Sequence, residues 1–251
     1  MIEKILKAQQ QNIFGIIQVG ANVGQELNIL TSHSENVYLF EPLTEAFDLL
    51  TNNISEYSDI KIFKLALGDK SEFKKINISN TNFSASSSLL EPSLHLDYFP
   101  EIKFDDFEEV EIKRFDEIDY NFKANFLILD VQGYELKVIK GFGDKLRNID
   151  YIYTEFSTKE LYKDSVLIGE LELNLAELGY IRTKTRIASN KPQGDALFVK
   201  KEKYSSISLK YYKVKSFFQL SKIYLFFNLI RDYRKIIYLF KEFVKKFIYK
   251  K

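Results

Sequence analysis

From residue 14 to about residue 160, short runs of branched and aromatic residues alternate with stretches of helical periodicity. No other feature restricts the fold as severely. The strand candidates are FGIIQV (14–19), VYLFE (37–41), IKIFKLAL (60–67), NFLILD (125–130) and YIYTEF (151–156), with helical patterns at 24–32 and 43–55. Strand, helix, strand, helix, strand implies parallel strands. A parallel pair needs a long connection, and that connection packs a helix back onto the sheet with a right-handed crossover. NFLILD is almost wholly apolar, as expected of a central strand covered on both faces. Residues 166–180 then read as a helix closed by Gly179. YIRTKTRIA and GDALFVKK follow as a pair of strands, separated by the turn residues Ser189, Asn190, Pro192 and Gly194. An α/β class with a closing antiparallel pair is the expectation.

At 251 residues the chain has room for one large α/β domain, or for one domain with an appendage. With no cysteine, disulfides, thiolate metal sites and cysteine nucleophiles are excluded. MIEKILKAQQQNIF carries charged and amide residues inside its apolar pattern, so it reads as a short amphipathic helix and not as an export signal. A cytoplasmic location is expected.

The net charge of +1 conceals an asymmetry. From residue 205 onward there are twelve Lys/Arg against two acids, leaving 24 basic and 33 acidic residues before that point. The expected organisation is therefore a domain over 1–203 and a basic, aromatic, amphipathic helical extension over 204–251. Phe226, Leu229, Tyr233, Ile236, Phe240, Phe243 and Phe247 alternate steps of three and four along one helical face. The longest uncharged stretch of that extension, IYLFFNLI, is too short to span a bilayer. Packing on the domain or in a homodimer, and attachment to an anionic membrane surface at the inner face, are both open to it. Nucleic-acid binding is disfavoured, because the body is acidic and no reader motif is present.

Chemistry enters at IIQVGANVGQELNIL. Gly20, Ala21, Asn22, Val23 and Gly24 follow a strand and open a helical pattern, the setting in which main-chain N–H groups can approach a nucleotide-like ligand. Glu41 stands 21 residues after Gly20, at the carboxyl end of the next strand, where a carboxylate can accept hydrogen bonds from both ribose hydroxyls and would repel a 2′-phosphate. Pro42 stops that strand. Ala66 and Leu67 end the third strand, where an adenine ring could lie between apolar walls.

A second cluster sits in LILDVQGYELKVIKG. Asp130 closes a central strand and faces the crevice in which ligands of open α/β sheets bind, although it could equally cap the following helix. Glu155 ends the adjacent strand at the same level. Two such acids could hold a divalent cation, orient a substrate hydroxyl or act as general base. His95 lies in a long serine-rich loop, NTNFSASSSLLEPSLHLDYFP, which by its length reads as functional and not as a plain connector.

IIQVGANVGQE, FEP, LALGD, SSSLL, LILDVQGYELKVIKG and GDALFVK, in this order, resemble the FkbM family of S-adenosylmethionine-dependent methyltransferases over roughly residues 13 to 200. The resemblance implies a Rossmann-like, doubly wound seven-stranded sheet whose last strand is antiparallel. It also implies O-methylation of a hydroxyl on a sugar or glycan precursor, hence a small-molecule or glycan partner. Carried over to this chain, Gln18, Gly20, Ala21, Asn22 and Gly24 would cradle the methionine part of S-adenosylmethionine. Glu41 would hold the ribose, with Pro42 after it also at the cofactor, Ala66 and Leu67 would border the adenine, and Asp130 would lie beside the sulfonium. The family commonly has an acid where this chain has Gln18, which would still hydrogen-bond the ammonium group of the donor but without charge. Asp130, Glu155 and His95, in that order, would be the candidate bases. Two rivals remain at this point: a nicotinamide-dependent oxidoreductase, disfavoured because Gln18 replaces the first fingerprint glycine, and a non-catalytic binding module of the same fold.

Overall fold

The computed structural model describes residues 1–57, 59–188, 191–204 and 212. Along the chain come α1 (Ile2–Gln9), β1 (Ile16–Val19), α2 (Leu27–Thr31), β2 (Val37–Phe40), α3 (Thr44–Asn53), β3 (Ile60–Phe63), β4 (Ala66–Leu67) and β5 (Glu72–Ile78). These are followed by α4 (His95–Tyr98), β6 (Asp106–Lys113), β7 (Phe126–Leu129), α5 (Glu135–Gly141), β8 (Tyr151–Ser157), α6 (Ile168–Glu177), β9 (Tyr180–Ile187) and β10 (Gln193–Lys200).

Seven strands form the main sheet in the order β3-β2-β1-β7-β8-β10-β9. The first five are mutually parallel, and β10 runs antiparallel to both of its neighbours. The period of two along each strand divides the core between the two faces. Ile17, Val19, Tyr38, Phe40, Leu127 and Leu129 belong to one apolar cluster, while Ile16, Val37, Leu39, Phe126 and Ile128 belong to the other. That partition is what a doubly wound sheet requires. The N-terminal pattern forms α1, which buries Ile5 and Leu6 in the second cluster.

One expected strand divides. IKIFKLAL is β3 up to Phe63, the chain then turns with the Leu65 N–H bonded to the Phe63 carbonyl, and Ala66–Leu67 pairs with β6 in a separate three-stranded sheet, β4-β6-β5. The turn residues Ser189 and Asn190, and the proposed helical tail apart from Tyr204 and Tyr212, lie outside the described residues. Among the described residues no helix is long and apolar enough to cross a membrane.

Strand order reverses between β1 and β7, the switch point at which open α/β sheets leave a crevice beyond the carboxyl ends of their strands. Register puts Val19 beside Leu129, so Gly20 and Asp130 emerge side by side.

Candidate active site

A cavity of about 350 Å³ opens at this switch point, within the range of small-molecule sites. Several segments build its wall, among them the serine-rich loop with Ser84, Ala85, Ser87 and Leu89. The turn after β1 supplies Gly20 and Asn22, and the end of β2 supplies Glu41 and Pro42. The turn into β4 supplies Leu65, Ala66 and Leu67, and the end of β7 supplies Asp130 and Gln132. Gln18 reaches the cavity from within β1 although only 3% exposed.

The glycine turn does not work as its spacing suggests. The N–H groups of Gly20 and Ala21 both donate to the Phe40 carbonyl at 3.0 Å, that of Gly24 donates to Ala21, and that of Asn22 donates to Glu41. In this structure they are therefore not offered to a ligand. Gly20 is required for space: its φ is +80°, and a Cβ there would come within 1.9 Å of the Asp130 carbonyl oxygen. Ala21 is wholly buried among Leu27 and Leu30, and Gly24 packs against Leu27 and Leu50, so neither of these two predicted residues lines the cavity. The helix beyond, α2, starts only at Leu27 and is too short to present a strong dipole end.

Glu41 holds the turn instead. One carboxylate oxygen accepts the Asn22 N–H at 2.8 Å and the other accepts the Leu43 N–H at 2.9 Å. Each oxygen keeps a further lone pair, so two more hydroxyl donors can be received on the cavity side. The residue is only 5% exposed, and this burial lifts its pKa to about 7 against the two backbone hydrogen bonds, with Glu108 and Asp130 adding repulsion. Beside it Leu65, Ala66, Leu67, Ile76 and Leu89 form an apolar wall suited to a flat ring. Of these only Ala66 and Leu67 carry a signal in the sequence.

At the other end lies an acid pair. Gln132 donates its side-chain amide to Asp130 at 2.7 Å and to Glu155 at 3.0 Å, bridging the two carboxylates. Its side-chain carbonyl receives the Tyr162 hydroxyl at 3.0 Å and its main-chain carbonyl receives the Ser88 hydroxyl at 2.7 Å. Tyr162 also donates to the Ser86 carbonyl, so the serine-rich loop is fastened to this turn. Sequence reasoning missed Gln132. Its φ of +51° beside Gly133 is the one unusual mark it carries, and that becomes visible only in the backbone.

Asp130 is exposed, its carboxylate opening onto the cavity among closely surrounding protein atoms. The surrounding protein pushes its pKa up to about 6 and the Glu26 and Asp195 charges push the same way, while the bond from Gln132 opposes them. Glu155 is raised well above the usual carboxylate range by burial and then by Asp130, Glu135 and Asp195. Repulsion makes Asp130, which lines the cavity, and Glu155, which does not, resist ionising together. The first can take a proton from a hydroxyl, which is the task of a general base. Gln193 of β10 donates to the far oxygen of Glu155 at 3.3 Å.

His95 is elsewhere. It is 2% exposed, enclosed by Phe99, Phe104 and Tyr162, absent from the cavity wall, and its Nδ1 has no hydrogen-bond partner. Burial lowers its pKa. A ring so enclosed does not reach an acceptor in the cavity, and the expectation that it might serve as base is withdrawn. Among the described residues no group of three or more His, Cys, Asp or Glu is arranged to hold a metal ion.

The cavity wall contains three carboxylates, Glu26, Glu41 and Asp130, and no Lys, Arg or His among the described residues. It is suited to a ligand with positive charge and unsuited to a pyrophosphate.

Comparison with known proteins adds to this. A family model described as the methyltransferase FkbM domain matches residues 18–182. The 2-O-methyltransferase NoeI of Sinorhizobium fredii (strain NBRC 101917 / NGR234) is 28% identical over 160 residues, covering 59% of this chain and 65% of that protein. The match thus spans just under two thirds of the relative's length. Similar solved structures include magnesium protoporphyrin IX methyltransferase (ChlM) from Synechocystis PCC 6803 with bound SAM, at TM-score 0.48 and 12% identity over 79% of this chain and 76% of that one. N-methyltransferase NodS from Bradyrhizobium japonicum WM9 has TM-score 0.47 and 7% identity, over 79% of this chain and 94% of that one.

Proposed function

The chain belongs to the FkbM methyltransferase family, and from that premise we propose that it transfers the methyl group of S-adenosylmethionine to a hydroxyl of a sugar or glycan precursor. One observation carries the reading. A buried carboxylate directly after β2, Glu41, is fixed by two backbone N–H groups with lone pairs to spare, in a cavity whose described lining has acids and no cations. A ribose diol needs such an acceptor. A sulfonium and an ammonium are served by such a field, whereas the two phosphates of a nicotinamide cofactor are not. The name of the curated relative, a 2-O-methyltransferase, supports oxygen as the accepting atom.

The fit of the donor to these residues is direct. Glu41 would accept the ribose hydroxyls, Pro42, Ala66 and Leu67 would border the adenine, and Gln18 and Asn22 would lie along the remainder. When bound, the donor supplies an electrophilic methyl group on a positively charged sulfur, a strong electrophile without further activation. The protein's part is to align the acceptor oxygen and to remove its proton. Asp130, steadied by Gln132, would receive that proton while the acceptor oxygen displaces the methyl group from the sulfur. Glu155, whose pKa is raised by burial and by Asp130, resists adding a second negative charge beside the first.

Calorimetric titration tests the proposal. S-adenosylhomocysteine is expected to bind and NADH not to bind; the opposite pattern rejects it. Methyl transfer onto sugar nucleotides and glycolipids, with EDTA as a control, then identifies the acceptor.

A further inference from the structure

The three cavity carboxylates do not have equal freedom. Both oxygens of Glu41 are engaged by backbone N–H groups, and Asp130 is tied to Gln132. Glu26, directly before α2, has a single side-chain hydrogen bond, received from the amide of Gln18 at 3.2 Å. This contact has a consequence for Gln18. A carboxylate only accepts, so the amide nitrogen must face Glu26, and the Gln18 carbonyl oxygen is the end left over. Gln18 is 3% exposed and lines the cavity, and its carbonyl oxygen accepts no hydrogen bond from a described residue. Beside it stands a carboxylate with capacity to spare.

We propose that Glu26 is the anion that binds the ammonium group of the methyl donor's amino-acid moiety, and that by orienting the Gln18 amide it presents the Gln18 carbonyl as a second acceptor for the same group. The charge absent at position 18 is thereby supplied from eight residues further along the chain. The site also has the right position. Gln18 is on β1, at the centre of the switch point, and Glu41 is one strand over, directly after β2. A ligand with its ribose on Glu41 and its sulfur near Asp130 would bring the rest of its length past β1. Glu26 is near enough to Asp130 to raise its pKa by repulsion, and a cation lodged there would relieve that strain.

The inference rests on the donor being S-adenosylmethionine, and the test separates the two. S-adenosylhomocysteine carries the amino-acid group, whereas 5′-methylthioadenosine keeps the nucleoside and lacks it. Glu26→Gln is expected to weaken S-adenosylhomocysteine by roughly 10- to 100-fold, the value of a hydrogen bond to a charged group, and to change 5′-methylthioadenosine by less than about twofold. Adding Gln18→Glu to that variant is expected to restore most of the affinity for S-adenosylhomocysteine, and this rescue carries the conclusion if 5′-methylthioadenosine binds too weakly for comparison. If the wild-type protein binds neither probe, the donor assignment falls and this inference with it. If the wild type binds and Glu26→Gln weakens neither probe, or both alike, or Gln18→Glu restores nothing, only the role of Glu26 is overturned.

Discussion

The two ends of the cavity are held by different means. At the Glu41 end the groups are fixed by main chain: two backbone N–H groups on one carboxylate, flanked by strand ends whose spacing the sheet sets. At the Asp130 end they are fixed by side chains, with one glutamine amide shared between two acids and a tyrosine and a serine fastening the glutamine in turn. A backbone clamp tolerates little change and suits a ligand that is the same in every turnover. A side-chain bridge can be retuned residue by residue, and it suits the end where proton transfer must be matched to an acceptor.

If this division of labour holds, Asp130→Asn is the most damaging substitution for turnover. The value of kcat should fall by roughly 10²- to 10⁴-fold, the ordinary contribution of a general base, while S-adenosylhomocysteine affinity stays within a few-fold. A loss expressed mainly in binding would erase the contrast between the ends. Glu41→Gln should show the reverse: affinity lower by about 10- to 100-fold, with kcat at saturating donor changed little.

The pH dependence sharpens the same comparison. Burial raises the pKa of Glu41 to about 7 from its ordinary 4.5, so the folded protein holds its proton more tightly than the unfolded chain does. Its contribution to stability is therefore complete below pH 4.5 and is lost as pH rises through 7. Donor binding runs the other way, because ribose hydroxyls donate to the ionised carboxylate. Affinity for S-adenosylhomocysteine should climb by up to about tenfold per pH unit below 7 and level off above it, a trend that Glu41→Gln flattens. With donor saturating, kcat should instead inflect with Asp130, below the ligand-free value of about 6 because the bound cation favours the carboxylate. A single inflection shared by both profiles would contradict the assignment. The smallest effect belongs to His95. His95→Phe places an apolar ring within an aromatic cage and removes an unpartnered Nδ1, so kcat should stay within about threefold. A drop of a hundredfold would return His95 to the list of bases.

Much of the frame was legible because it depends on periodicity. The apolar runs that became β1, β2, β7 and β8 sit within a residue or two of their expected bounds, and Glu41 and Asp130 fall at strand ends as their positions implied. The break after Phe63 was not legible, since no glycine or proline stands at Lys64 or Leu65 to announce a turn. The glycine turn misled in another way. Its residues are where a ligand-binding loop would put them, but hydrogen bonding to Phe40 spends its donors, and that pairing depends on the register between β1 and β2. Gln132 was hidden for a related reason: its role arises from four side chains that are up to 44 positions away and meet only in space.

The reversed strand β10 has a consequence beyond topology. Because it runs against its neighbours, it begins where they end, so Gln193 and Asp195 arrive at the rim beside Glu155. The segment matched by the family model stops at residue 182, before this arm of the hairpin. This arm stands four places across the sheet from β2, so the piece of chain that reaches Glu155 and the piece that carries Glu41 can be altered independently.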